Sequence, residues 1–341
     1  MDAAADALLA GPRGRRLLLA VAGEVDPGVR SLSPEFALAP LDDGVRSEFA
    51  GGLAAVDPDG VTAAMLWNGL AEAVGWARYW QQPDENDVAL ATMSVRDALR
   101  PLAEAVVAHP ESAWWSTPVA LAAQRYVMWL DDTPNDPLDP VGAAGKLGRW
   151  RAATLADEQS ARSRPSDPSA AVSGAWWSTP ALASLPTSTR SLGALGAVGL
   201  TLVEDAASWA EARVTPVSVA SGARVYEIDG PDALTALVER YPLDVSLSRR
   251  HDWYRTTGET GTWLIPDWQA VAADFDGVHL SVAGYLTTAG RAVYVGAPMT
   301  MLAGWDPDRT FWLTDVLTEA HPSADWRRID TAPARWVESD R

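Results

Sequence analysis

Between Trp253 and Asp315 the chain gathers side chains that can move protons, hold anions and stack on rings, against a background rich in Ala, Leu and Val. At the centre of this stretch, Gly277-Val278-His279-Leu280-Ser281-Val282 alternates apolar and polar residues, the pattern of a half-buried strand. Val278, Leu280 and Val282 then face the core, while His279 and Ser281 point together to the other side. An imidazole so placed serves as general base, ligand or donor to a substrate hydroxyl, or simply bonds a neighbouring loop. Gly277 before the strand and Gly284-Tyr285 after it suggest close approach of something to this backbone. Upstream, Arg224, Tyr226 and Ile228 share one face of a second strand. There a guanidinium could hold an anion while a ring stacks on a flat group, or an edge strand could make ordinary surface pairs. Downstream, Asp306-Pro307-Asp308 joins Asp274, Asp276, His251 and Asp252 as donors suited to Mg²⁺, Mn²⁺ or Zn²⁺. Turns use the same Asp-rich triplets, so no metal is expected.

In order and in residue type, Arg224-Val225-Tyr226, His279-Leu280-Ser281 and Gly284-Tyr285-Leu286 resemble the folds that bind NAD for ADP-ribosyl transfer, over residues 216–315 at most. The resemblance implies that Arg224 holds phosphate, Tyr226 or Tyr285 stacks on a ring, and His279, beside Ser281 on its strand, bonds a ribose hydroxyl. It also implies a late carboxylate that supports a cationic transition state. That family uses Glu, and none lies between Thr260 and Thr318, so the part falls to Asp306 or Asp308. The run from Gly304 to Leu313 also resembles a pattern in a family of high-GC bacterial proteins of unassigned function.

Other signatures are missing. There is no Gly-x-Ser-x-Gly elbow, no Walker-type loop and no His-Glu-x-x-His pair, and Gly193, Gly196 and Gly199 have the wrong spacing for a dinucleotide fingerprint. The lack of cysteine excludes thiol nucleophiles, thiolate metal sites and disulfides. A formal charge of −18 argues against a nucleic-acid partner, and the longest basic run is Arg13-Gly14-Arg15-Arg16. Only Lys146 among 27 basic residues is lysine, a bias that GC-rich coding explains. No apolar segment approaches the roughly 20 residues of a bilayer span, and Leu17 to Ala22 is too short for a secretory core of about 7–15. No membrane association and a cytoplasmic location are therefore expected.

A chain of 341 residues has room for two domains. Residues 2–10 read as a helix, Arg16 to Gly23 as a buried strand, Val61 to Trp80 as an amphipathic helix capped by Asp59, and Ser94 onward as another in spite of Pro101. Thr117-Pro118 reads as the start of a helix to Leu130. Ala113-Trp114-Trp115-Ser116-Thr117-Pro118 recurs as Ala175 to Pro180, either as a repeated helix start or as two equivalent walls of one cleft. Ala156 to Gly174 lacks periodicity and reads as a linker. Beyond it, short β-type runs at Leu200–Glu204, Pro216–Ala220, Arg224–Ile228, Leu243–Leu247, Val278–Ala283, Ala292–Val295, Met299–Ala303 and Thr310–Leu313 outnumber two helices, Pro231–Tyr241 and Pro266–Phe275. The expected fold is α+β: a mostly helical part over residues 1–156, a linker over 157–174, a mainly antiparallel α+β domain over 175–318, and a polar tail over 319–341, poorly packed apart from Trp326 and Trp336. The expected function is an enzyme that binds a small polar, nucleotide-like ligand, with NAD as the candidate. Its competitors are a non-enzymatic interaction protein that uses its 17 Trp on a protein partner, and then a metal-dependent hydrolase.

Overall fold

The computed structural model describes residues 2–34, 42–131, 139–180, 185–205, 209–320, 322–329 and 335–339. The first third is helical: α1 (Asp2–Ala10), α2 (Pro12–Val25), α3 (Gly28–Leu32), α4 (Asp43–Ala54), α5 (Ala63–Gly75), α6 (Glu85–Leu90) and α7 (Met93–Ala108). α2 replaces the strand expected at Arg16–Gly23. Pro12 occupies its first turn, and Leu17, Leu18, Ala20, Val21 and Ala22 are buried around its circumference, so no 3.6-residue stripe survives in the sequence. Thr62, not Asp59, caps α5, and α7 starts at Thr92 and tolerates Pro101.

The helix expected from Thr117 is absent. Thr117 ends a 3-10 turn in extended backbone, and the chain runs on into strand β1 (Gln124–Trp129). At the second copy of the hexapeptide, the segment that follows Pro180 lies outside the described residues. Then come α8 (Ala143–Ser160), β2 (Thr187–Arg190), β3 (Glu211–Val219), β4 (Val225–Ile228), α9 (Pro231–Arg240), β5 (Pro242–Asp244), α10 (Ser246–Thr257), β6 (Leu264–Pro266) and α11 (Trp268–Val271). The chain closes with β7 (Gly277–Leu280), α12 (Val282–Thr288), β8 (Val293–Tyr294), β9 (Met299–Thr300), β10 (Thr310–Trp312), β11 (Leu317–Glu319), β12 (Ala324–Ile329) and β13 (Arg335–Glu338).

The main sheet runs β13-β12-β3-β1-β2-β10-β7-β4, with β11 also on β3, and every pairing is antiparallel except β4 with β7. The fold is thus α+β. Three sequence expectations need correction here. Leu200–Glu204 forms turns, because Val198–Leu200 is a 3-10 turn. The runs at Leu243 and Val278 end early, where α10 and α12 begin. In the described part of the tail, β12 and β13 extend the sheet, and the partly buried Trp326 and Trp336 pack against the cluster that holds Trp129.

The stretch expected to separate two domains does not interrupt the packing. One apolar core contains Leu17, Leu70 and Val95 from the helices together with Trp253, Val278 and Leu286 from the sheet half. α8 runs past position 156 and packs on α10 and α11. Gly284 shows how tightly these layers meet, because a Cβ there would lie 2.1 Å from the Ile228 carbonyl oxygen. The close approach read from the glycines is therefore the protein's own backbone. Since that oxygen belongs to β4 and cannot swing aside, Gly284→Ala should destabilise the fold by about 1–3 kcal/mol, read as a lower denaturant midpoint at unchanged slope.

Candidate functional site

His279 lies on a central strand and is buried on both faces, 1 % exposed, not half-exposed as the alternation implied. Register places Thr310 and Glu227 on either side of it. Its Nδ1 lies 2.5 Å from the Glu227 carboxylate and its Nε2 lies 3.3 Å from Asp308. Burial alone would depress the imidazole, but the bonds to Asp308 and Glu227 outweigh it and raise the pKa above the ordinary histidine value. Asp308 adopts a left-handed backbone, φ 58°, fixed by its N–H donating to the Leu280 carbonyl at 2.7 Å. It accepts from the Arg190 backbone N–H at 2.8 Å and from Arg190 Nε at 2.5 Å. Arg190 in turn donates to Thr117 Oγ1 and to the carbonyls of Thr117 and Pro118, and lies over the Trp114 ring. The first hexapeptide is therefore docked on the sheet through this charge chain.

The second hexapeptide docks elsewhere, with Ser178 and Thr179 bonded to the Ala303–Gly304 backbone and the Trp176 carbonyl accepting from Trp253 Nε1. The two copies are thus held by different partners.

The other expected site residues do not gather around His279. Ser281 caps α12 by accepting from the Gly284 N–H at 3.0 Å. Arg224 is an exposed partner of Asp276, and the Tyr226 hydroxyl donates to the Ala233 carbonyl. Asp306 accepts from the Glu204 N–H at 2.8 Å and pairs with Arg309, and burial raises its pKa. Tyr285 is fully buried, with its hydroxyl 3.3 Å from that of Tyr79. Asp252 and Asp274 are held by Arg255 and Arg240 respectively, while His251 contacts the Pro165 carbonyl. Among the described residues no group of three or more His, Asp or Glu has the arrangement of a metal site. Nor, among them, is any helix long and apolar enough to cross a membrane.

A cavity of about 620 Å³ opens instead between α2, the Trp76–Ala91 segment, the end of α10, and the Gly290–Tyr294 stretch. Its lining includes Arg13, Arg15 and Arg291 together with Tyr79. Arg13 and Arg15 are 4 % and 8 % exposed. Such burial is tolerated for Arg13, which donates to the Ala73 carbonyl and to Asp87, and for Arg16, which pairs with Asp87 and Asp84. Among the described residues, Arg15 has no carboxylate bonded to it and donates to the carbonyls of Leu9 and Ala10, both at 2.9 Å. The Nε atoms of Arg13, Arg15 and Arg291 are buried without hydrogen-bond partners. Burial and the cations Arg96, Arg13 and Arg291 pull the Arg15 pKa down to about 10 against the single opposing acid, Asp87. Burial and Arg96 likewise lower that of Arg291, with Asp232 opposing. Arg15 and Arg291 thus have no carboxylate bonded to them among the described residues, although Asp84, Glu85, Asp87 and Glu259 also line the cleft.

Behind the Arg13 and Tyr79 floor sits Glu204, whose carboxyl oxygens are buried without a well-formed hydrogen bond although the Tyr79 and Tyr285 hydroxyls face them. Burial, with Asp306 nearby, pushes the Glu204 pKa up to about 8. None of this was read from the sequence. The available signal was the run Arg13-Gly14-Arg15-Arg16 set among leucines, three guanidiniums that an apolar helix must carry into the interior.

Comparison with family models, curated proteins and solved structures finds no match to this chain.

A carboxyl whose folded pKa exceeds its unfolded value stabilises the fold at low pH and loses that contribution as pH rises through the folded value. Unfolding free energies of the native protein should therefore fall relative to those of Glu204→Gln between about pH 4.5 and 8, by on the order of a few kcal/mol. A pH-independent difference would mean that Glu204 is ionised throughout.

Proposed function

We propose that this protein binds a small anionic, nucleotide-like molecule in the cleft floored by Arg13 and Arg15. Arg15 carries the reading: a guanidinium 8 % exposed, with an unpartnered Nε, surrounded by more cations than anions in a chain of net charge −18. Buried cations persist where something pairs with them, and a phosphate or carboxylate would offer Arg15 and Arg291 the charge-assisted bonds they lack. Of the acids in the lining, Asp84 and Asp87 are committed to Arg16 and Arg13, and among the described residues neither Glu85 nor Glu259 is bonded to Arg15 or Arg291. The volume, about 620 Å³, falls within the range of roughly 300–1,000 Å³ typical of small-molecule sites.

NAD is the first probe because its pyrophosphate suits the guanidiniums of Arg15 and Arg291 and its rings suit the aromatic lining. Arg224, exposed and paired with Asp276, offers a weaker anchor for that pyrophosphate than Arg15 and Arg291 do. The interaction-protein reading has less support, since Trp76 is the one exposed residue among 17 Trp.

Millimolar NAD should raise the melting temperature by about a few degrees, as expected for a ligand well above its dissociation constant. Arg291→Ala should abolish most of that shift, whereas His279→Ala should lower the starting temperature and keep it. A shift kept in Arg291→Ala and lost in His279→Ala would move the site to β7. The absence of any shift with NAD, ADP-ribose or pyrophosphate would retire the anionic ligand altogether.

A further inference from the structure

We infer that the ligand carries a planar ring, which Trp76 and Tyr294 grip at the mouth of the cleft. This rests on the anionic reading of the same cleft and adds a second subsite to it. Trp76 is 42 % and Tyr294 60 % exposed, and among the described residues they are the exposed aromatic side chains of the molecule. Both line this one cavity. They come from unrelated places in the chain: Trp76 ends α5, and Tyr294 sits on the β8–β9 hairpin. Two exposed rings from separate elements at the rim of the cavity that holds the unpaired arginines are not explained by packing, because every other tryptophan is at least partly buried.

The Arg78 guanidinium lies 5.2 Å from the centre of the Trp76 ring and also pairs with Asp205 at 3.4 Å. Trp76 is thereby steadied on one side by a cation–π contact, which lowers the entropy lost when a ligand ring settles on it. Aromatic side chains accept flat rings by offset or edge-to-face stacking without requiring a particular hydrogen-bond pattern. Gln81, Gln82 and Thr257, also in the lining, supply donors and acceptors for polar edges. The combination suits a phosphorylated or carboxylated molecule with an aromatic or nucleobase ring.

The experiment compares ligands that share an anion and differ only in the ring: AMP against ribose 5-phosphate, and phenyl phosphate against methyl phosphate. Calorimetric titration of the full chain should give at least one pair in which the ring-bearing member binds roughly tenfold tighter or more, the increment expected of a stacked ring. Trp76→Ala and Tyr294→Ala should remove that margin and leave the affinity of the ringless partner unchanged. Equal affinities within both pairs, or a margin that survives both substitutions, would overturn the ring subsite while leaving the anion site in place. Failure of all four compounds to bind would overturn both. Because both side chains are exposed, the variants should keep the melting temperature of the native protein.

Discussion

Charge buried without its opposite is the constraint on which this molecule turns. Helix α2 lies against α5, α6 and α12 and carries Arg13, Arg15 and Arg16 in its first turns, where each is under a tenth exposed. Removing a guanidinium from water is expensive unless a carboxylate or carbonyls replace the lost solvent. Asp84 and Asp87, at the start of α6, provide that replacement for Arg16 and Arg13, and so fix α6 against α2. Arg15 receives only backbone carbonyls and lies within the field of Arg96 and Arg291. The same requirement that orders the helical part thus leaves Arg15, in the lining of the cleft, without a bonded carboxylate among the described residues.

A second buried charge system works to a different end. Glu227, His279, Asp308 and Arg190 form a continuous chain across the sheet that reaches the first Trp-Trp segment at Thr117. Each member has a partner, and the imidazole is held toward its charged form by two carboxylates. A fully satisfied network of this kind fixes one arrangement of strands and covering segment. The arginine end of the cleft differs from it in that the buried Nε donors of Arg13, Arg15 and Arg291 go unused.

How much of this was legible in the sequence depended on whether the signal was local. The α+β class, the helix at Pro231–Arg240 and the strand core at Val278–Leu280 followed from periodicity and turn residues, and the structure contains each. Wholly buried elements were misread because burial on all sides erases periodicity: α2 looked like a strand, and β7 looked half-exposed. α10 was missed for the opposite reason. Its sequence is polar, yet Arg249, His251 and Asp252 are buried and paired through contacts with distant residues. His279 and Asp308 were expected to serve a bound ligand, not to bond each other, and Glu227 as the other neighbour of the imidazole required the parallel register of β4 and β7. The cleft was invisible because its lining comes from four separated stretches, and only the basic run at Arg13 pointed to it.

The most direct measurement is a crystal structure of the protein grown with AMP or pyrophosphate. The account predicts an anion seated against Arg15 and Arg291, with the Arg15 Nε now bonded to oxygen. A cleft filled by water alone, or an anion held instead at Arg224 or beside His279, would contradict it.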